Sequence, residues 1–373
     1  MRITKLETFL VKPRWLFLKM HTDEGLVGLG EPILEGRALT VAQAVAELEP
    51  YLIGKDPTSV IHHWQAMYKH AFYRGGPILT SALSGVEHAL WDLAGKAAGL
   101  PIYKMLGGPL RQRIKMYAGC GGNTPEEAAR NARERVARGF IALKTGINGG
   151  RPARIVESPA FIERAVAQFA AMREAVGKDI DIAIDFHGAI SPQTSALLIK
   201  ALEPYQPMFI EEPVQCQNVD VLADLARKTH LPIATGERIF TKWGFREILE
   251  KRAASILQPD IAHCGGIFEG RIIAGMAESY YAAIAPHCPL GPIALAACIQ
   301  LDASIPNFLA QEHASLGEGY LKQPFVLKDG YVDLPTAPGL GIELDEEAMA
   351  DKIGHDWRNP ETYHPDDGTA IDW

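Results

Sequence analysis

Apolar and polar positions alternate over much of the first 30 residues. Residues 3–11 and 15–21 are short β-prone runs, Thr22-Asp23-Glu24-Gly25 is a turn signal, and residues 26–30 resume as a strand. That order predicts an antiparallel meander. The period then lengthens to that of a helix. Residues 41–52, 60–72 and 78–99 carry apolar side chains at helical spacing, and Ala82, Val86, Leu90 and Leu93 share one face. Pro101 and Gly107-Gly108-Pro109 close this region.

From residue 114 onward the rhythm is different. Short apolar runs at 114–120, 140–146, 181–187, 208–213, 232–237, 255–260, 283–287 and 308–312 alternate with helical stretches such as 125–138 and 160–176. Eight buried strands with crossover helices predict an α/β fold of (β/α)8, TIM-like type rather than an open sheet. The expected organisation is an α+β N-terminal capping domain over 1–113, a barrel over 114–320, and a C-terminal segment over 321–373 that returns to the cap. Within that segment Lys328-Asp329-Gly330 reads as a turn, and pattern alone gives the tail no fold.

Composition narrows the function classes. The 373 residues are 47% apolar and 22% charged, which fits a globular chain with a large core and excludes wholesale disorder. Lys+Arg 37 against Asp+Glu 45 gives a net charge of −8, and no basic run marks a phosphate-binding stripe, so no nucleic-acid partner is expected. No apolar run reaches the roughly 18 residues of a membrane span, and Met1 to Glu7 lack the apolar core of a signal peptide. The five cysteines include no C-x-x-C pair. A reduced, cytoplasmic protein without a membrane partner is the expectation.

The chemistry lies at the ends of the strand-like runs. They close on Asp185-Phe186-His187, Glu211-Glu212-Pro213, Gly236-Glu237-Arg238, Gln258-Pro259-Asp260, Pro286-His287 and Gln311-Glu312. The intervals are 26 (185 to 211), 26 (211 to 237), 23 (237 to 260), 27 (260 to 287) and 25 (287 to 312), each the length of one βα unit. All these groups therefore belong on the C-terminal face, where barrel enzymes keep their active sites. Asp185, Glu211 and Glu237 on adjacent strands repel one another unless a cation lies among them, and an all-oxygen set suits a hard divalent ion such as Mg2+. One such carboxylate alone would read as a solvated or capping group; three in step with the repeat read as a metal site.

Two histidines flank that ring. His187, two residues past Asp185, points to the same face if the strand stays extended. His287 lies one strand beyond Asp260, whose carboxylate could fix its tautomer and make it a better base. Lys144 reads as a positioning or electrostatic group rather than a base, and Glu312 either touches a substrate carboxyl group or supports the site from behind. No P-loop, nucleophile elbow or dinucleotide fingerprint is present.

Those strand-end motifs, with Phe72-Tyr73-Arg74-Gly75-Gly76-Pro77, Ala89-Leu90-Trp91-Asp92, Ser255-Ile256-Leu257-Gln258-Pro259-Asp260, Ala285-Pro286-His287-Cys288 and His355-Asp356-Trp357-Arg358-Asn359-Pro360, resemble the mandelate racemase subgroup of the enolase superfamily. Within it the galactonate dehydratases are the nearest likeness, and the resemblance spans nearly the whole chain. It implies Mg2+ on Asp185, Glu211 and Glu237, a C2 base in His287 backed by Asp260, and an acid in His187 that helps the C3 hydroxyl leave. It also implies Glu312 near the substrate carboxylate, selection of the substrate by cap loops around Arg14-Trp15 and Glu35-Gly36-Arg37, and a homo-oligomer. Many subgroup members carry K-x-K on the second strand; here Lys144-Thr145-Gly146 stands, which disfavours a two-base racemase. That position and the loop 147–152 bear on which sugar acid is taken. The expected reaction is Mg2+-dependent dehydration of a sugar acid with the two histidines on opposite substrate faces. Other aldonic or aldaric acids, epimerisation and cycloisomerisation are the alternatives. A barrel metallohydrolase would call for His-rich zinc ligation, and a non-catalytic barrel would have no need of these groups in step.

Overall fold

The computed structural model describes residues 1–147 and 157–372. Strands β1 (Ile3–Val11), β2 (Trp15–Thr22) and β3 (Val27–Gly30) form the expected meander, in the order β1-β2-β3. Helices α1 (Ala38–Leu52), α2 (Val60–Lys69), α3 (Gly76–Ala98) and the single turn α4 (Ile102–Met105) follow. The last was not expected, being too short for its period to register. Helix α3 is buried from Thr80 to Gly95 because the meander packs on one side of it and the barrel on the other.

The barrel begins with β4 (Arg113–Lys115) and β5 (Ala118–Gly119), then alternates α5 (Pro125–Ala137), β6 (Ala142–Gly146), α6 (Pro159–Val176), β7 (Asp181–Asp185), α7 (Pro192–Leu202) and β8 (Ile210–Glu211). It continues with α8 (Val219–Ala226), β9 (Ile233–Thr235), α9 (Thr241–Glu250), β10 (Ile256–Leu257), α10 (Gly266–Glu278), β11 (Ala283–Ile284) and α11 (Pro292–Asp302). Proline opens α5, α6, α7 and α11, a position where its missing N–H costs nothing. Strands β5 to β11 make one parallel sheet in sequence order. The eighth run bridges Ile284 through Phe308 and Met116 through Gln311, both parallel, and the Tyr117 amide donates to the Gln311 carbonyl at 3.0 Å. This closes the (β/α)8 ring.

Side-chain parity decides what faces the barrel axis. Ala183, Phe209, Ala234, Ile256 and Ala285, from five neighbouring strands, pack together inside the barrel, whereas Ile182, Ile184, Ile210, Ile233, Leu257 and Ile284 join the core beneath the helices. Counting by twos from the inward set reaches Asp185, Glu211, Gln258, Asp260 and His287. Lys144 follows inward Ala142, and Glu312 follows inward Ala310.

Beyond the barrel, β12 (Leu327–Lys328) and β13 (Tyr331–Asp333) form a hairpin whose turn is Asp329-Gly330, both at positive φ, and β13 pairs antiparallel with β4. The chain then reaches the meander: Ile353 bridges Val11, and His355 Nε2 lies 3.0 Å from the Trp15 carbonyl. No helix among the described residues is long and apolar enough to cross a membrane.

Candidate active site

Seven strand ends bring their polar groups to one mouth. Lys144 Nζ sits among three carboxylates, 2.7 Å from Glu312 Oε1, 2.9 Å from Glu211 Oε1 and 3.5 Å from Asp185 Oδ2. Burial opposes its charge, but Glu211, Glu312 and Asp185 outweigh that and hold its pKa well above the ordinary lysine value. Glu312 answers in kind: burial pushes it up, Lys144 and His287 pull it down, and its pKa ends at about 2. Its other oxygen accepts from the Cys288 amide at 3.1 Å.

His287 Nδ1 donates to Asp260 Oδ2 at 2.8 Å, and Asp260 Oδ1 accepts from the Ala262 amide at 2.8 Å. Nε2 is thereby left to face the mouth, 3.5 Å from Glu237 Oε2 and 3.9 Å from Glu312 Oε2. Asp185, His187 and Glu237 each present a ligand atom within 4.8 Å of the others. Among the described residues, Glu211 Oε2 and Glu237 Oε2 are buried with no hydrogen-bond partner, the His287 contact to Glu237 being an ion pair at 3.5 Å. Burial raises the pKa of both acids; Asp185 and Glu312 add repulsion at Glu211 against the pull of Lys144, and Glu212, Asp185 and Glu211 add it at Glu237 against the pull of His287. Bare carboxylate oxygens converging under mutual repulsion fit a hard cation. A cavity of about 520 Å³ opens beside them, lined by the 119–123 loop, Lys144, Thr145, Asp185 and His187.

Two model-family domains match this chain: the mandelate racemase / muconate lactonizing enzyme N-terminal domain over residues 7–107, and an enolase C-terminal domain-like region over 127–348. The chain belongs to the mandelate racemase / muconate lactonizing enzyme family of the enolase superfamily. It is 46% identical to D-galactonate dehydratases of Ralstonia nicotianae and Pectobacterium atrosepticum, each alignment covering 100% of both chains. Among solved structures, an enolase from Agrobacterium radiobacter with sodium and L-malate bound matches at a TM-score of 0.93 and 32% identity over 100% of both chains. A member of the enolase superfamily from Salmonella Typhimurium matches at 0.89 and 33%, over 95% of this chain and 98% of that one.

Not every residue arrives in the superfamily site as simple alternation would bring it. Glu237 lies on the wrong parity, since Ala234 and Gly236 point inward. Gly236 resolves this with a φ of 149°, where a Cβ would come within 2.7 Å of the Gln258 backbone, and the kink turns the next side chain to the mouth. His187 is not on an extended strand either. Strand β7 ends at Asp185, His187 has a φ of 53°, and its amide donates to Asp185 Oδ1 at 2.8 Å. Its ring reaches Asp185 Oδ2 at 3.4 Å and remains half exposed.

Trp15 packs in the cap. It opens β2, is buried, stacks on Phe17 at 6.0 Å and meets Tyr320 edge-on at 4.8 Å, so it is a packing residue of the cap. Arg14 is held in the seam, over the Trp357 ring at 5.2 Å, 3.6 Å from Glu35 and 3.4 Å from the Pro289 carbonyl. In the loop 147–152, only Ile147 falls within the described residues. The second letters of two motifs also find a reason: Arg238 of G-E-R donates to Glu212 of E-E-P at 3.2 Å and ties neighbouring strand ends together. Sequence reading passed over His263, which lies three residues after Asp260 and is almost fully buried beside it. A histidine one turn beyond a strand-end aspartate was the available signal.

Proposed function

We propose that this chain is a Mg2+-dependent hydro-lyase that converts D-galactonate to 2-dehydro-3-deoxy-D-galactonate and water. The observation that carries the metal-assisted reading is the pair of bare, buried oxygens on Glu211 and Glu237 beside the Asp260–His287 pair. The substrate comes from the relatives named D-galactonate dehydratase. Asp185, Glu211 and Glu237 would hold the ion, an oxygen set that favours Mg2+ over softer metals. When bound, Mg2+ would supply positive charge where the substrate carboxylate gains electron density.

The chain's own groups do the rest. His287 takes the C2 proton on Nε2, because Asp260 occupies Nδ1. Lys144 and Glu312 orient the carboxylate end through opposite charges held 2.7 Å apart. His187 gives a proton to the departing C3 hydroxyl, and the enol product tautomerises to the keto acid. β7 and β11 are the third and seventh strands of an eight-membered ring, so the two imidazoles approach from opposite sides, which supports anti elimination. Cap (1–113), barrel (114–320) and returning segment (321–373) form the working unit, in a cytoplasmic homo-oligomer.

The test is purified protein with Mg2+ against a panel of aldonic and aldaric acids, reading keto-acid formation. D-galactonate should turn over with kcat/KM of about 10⁴ M⁻¹ s⁻¹ or more. Turnover of a different acid alone would replace the substrate. Neither keto acid nor C2 deuterium exchange with any acid would overturn the reaction.

A further inference from the structure

The Asp260–His287 pair does not end at Asp260. The oxygen that accepts from His287, Oδ2, also lies 3.6 Å from His263 Nε2, and the same nitrogen lies 3.6 Å from Glu35 Oε2. His263 is buried, and its Nδ1 is 3.0 Å from Ser81 Oγ, which is itself 2.6 Å from the Pro77 carbonyl. If the Ser81 proton goes to Pro77, Nδ1 must donate to Ser81, and Nε2 between two carboxylates must be protonated as well. If Ser81 donates to Nδ1, the remaining ring proton is again on Nε2. Either way an N–H points between Glu35 and Asp260.

Glu35 comes from the cap, in the loop between β3 and α1, and two further segments fix it. Arg14 of the β1–β2 turn lies 3.6 Å from its other oxygen. Trp357 of the returning segment supports Arg14, and the adjacent Gly36, with a φ of 71°, packs so closely on Asn359 that a Cβ would come within 2.5 Å. Burial would raise the Glu35 pKa, but His263, His287 and Arg14 together hold it at about 2. Burial would lower His263, and Asp260 and Glu35 raise it instead.

We infer that Glu35 and His263 are positioning residues for the reaction proposed above: the cap carboxylate anchors the His263 ring, which holds the Asp260 carboxylate in line with His287. An aspartate gripped on one side only could rotate and release the imidazole from the tautomer that leaves Nε2 free. The cap thus completes the base by a chain of side chains, whether or not Glu35 ever touches substrate. This rests on the dehydratase reading.

Glu35→Gln and His263→Asn should each lower kcat by about 10–100-fold, the range found when a group that orients an active-site ligand is removed. KM should stay within about twofold, and C2 deuterium exchange should fall by the same factor as dehydration. The double variant should match the worse single one, and Glu35→Asp should recover part of the loss by keeping the charge. The downfield Nδ1–H proton of His287, read by NMR in the Mg2+-loaded enzyme without substrate, should move in both single variants. If His263→Asn does not fold, His263→Gln takes its place. A raised KM with kcat intact would make Glu35 a substrate contact and overturn the inference, as would losses that multiply. An unmoved proton in an active enzyme also sinks it. A moved proton in a wild-type protein that dehydrates no sugar acid keeps the wiring and rejects the dehydratase reading.

Discussion

At the seam between cap and barrel, the buried carboxylates of Glu31 and Glu87 have a donor for every oxygen. Glu31 of the cap accepts from the Gly291 amide at 2.7 Å and the Ala294 amide at 2.9 Å, at the start of α11. Glu87 of α3 accepts from the Ile267 and Phe268 amides at the start of α10 and from the Trp91 indole. At the mouth, Glu211 is buried and Glu237 partly so, yet among the described residues each keeps one buried oxygen without a donor. The first pair caps helix N-termini, where free amides and the helix dipole favour an acceptor. Among the described residues the second pair has other carboxylates, Lys144, His287 and the Gln258 amide for company. Burial alone therefore does not mark a functional acid, and neither does a missing donor alone, since Asp302 at the end of α11 has both oxygens buried without one; at Glu211 and Glu237 the donorless oxygens stand beside other strand-end carboxylates, where a cation would offset their desolvation.

The difference can be broken most sharply at the mouth. His287→Asn should abolish C2 deuterium exchange and dehydration together, by about 10⁴-fold, the upper range for general base catalysis; exchange at the native rate would move the base elsewhere. His187→Ala should cut dehydration by about 10²-fold or more while C2 exchange suffers less. Equal losses in both would show that His187 serves the metal or the fold instead of the leaving group. Glu211→Gln should weaken Mg2+ binding, read by calorimetry, by at least about tenfold. An unchanged affinity would mean that the bare oxygen awaits something other than a cation.

The seam should respond to pH and not to metal. Burial pushes the Glu31 pKa up to about 8, against the pull of the two amides, and Glu87 to about 8 likewise. Both lie above the value of about 4.3 expected in the unfolded chain. The folded state then holds these protons more tightly, so the associated stability is full below about pH 4.3 and is lost as pH rises through about 8. Glu31→Gln removes one of these titrations. Its deficit in melting temperature relative to wild type should shrink between pH 5 and 9 by scanning calorimetry, with or without Mg2+. A deficit that is flat with pH would show that the amides, not burial, set the state of Glu31.

Much of this molecule was written along the chain. Strands followed by crossover helices at intervals near 26 residues fixed the barrel and its closure, because a parallel strand of that length has few other ways to bury both faces. The same spacing, with a period of two inside each strand, placed Asp185, Glu211, Asp260, His287 and Glu312 at one mouth. These are local regularities, and local regularities are what a sequence displays. Tertiary structure decided the rest. Glu237 turns inward only because Gly236 kinks against the Gln258 backbone, and His187 returns to Asp185 through a left-handed residue rather than an extended strand. Trp15 went into the cap core because Tyr320, some 300 residues away, supplied the ring to pack on. Glu35, His263 and Asp260 are 228 (35 to 263) and 3 (260 to 263) residues apart, and no periodicity links a cap loop to a turn beyond a barrel strand. Contacts between elements depend on how the two domains dock, and that docking is set by the summed packing of both surfaces rather than by any pattern within either.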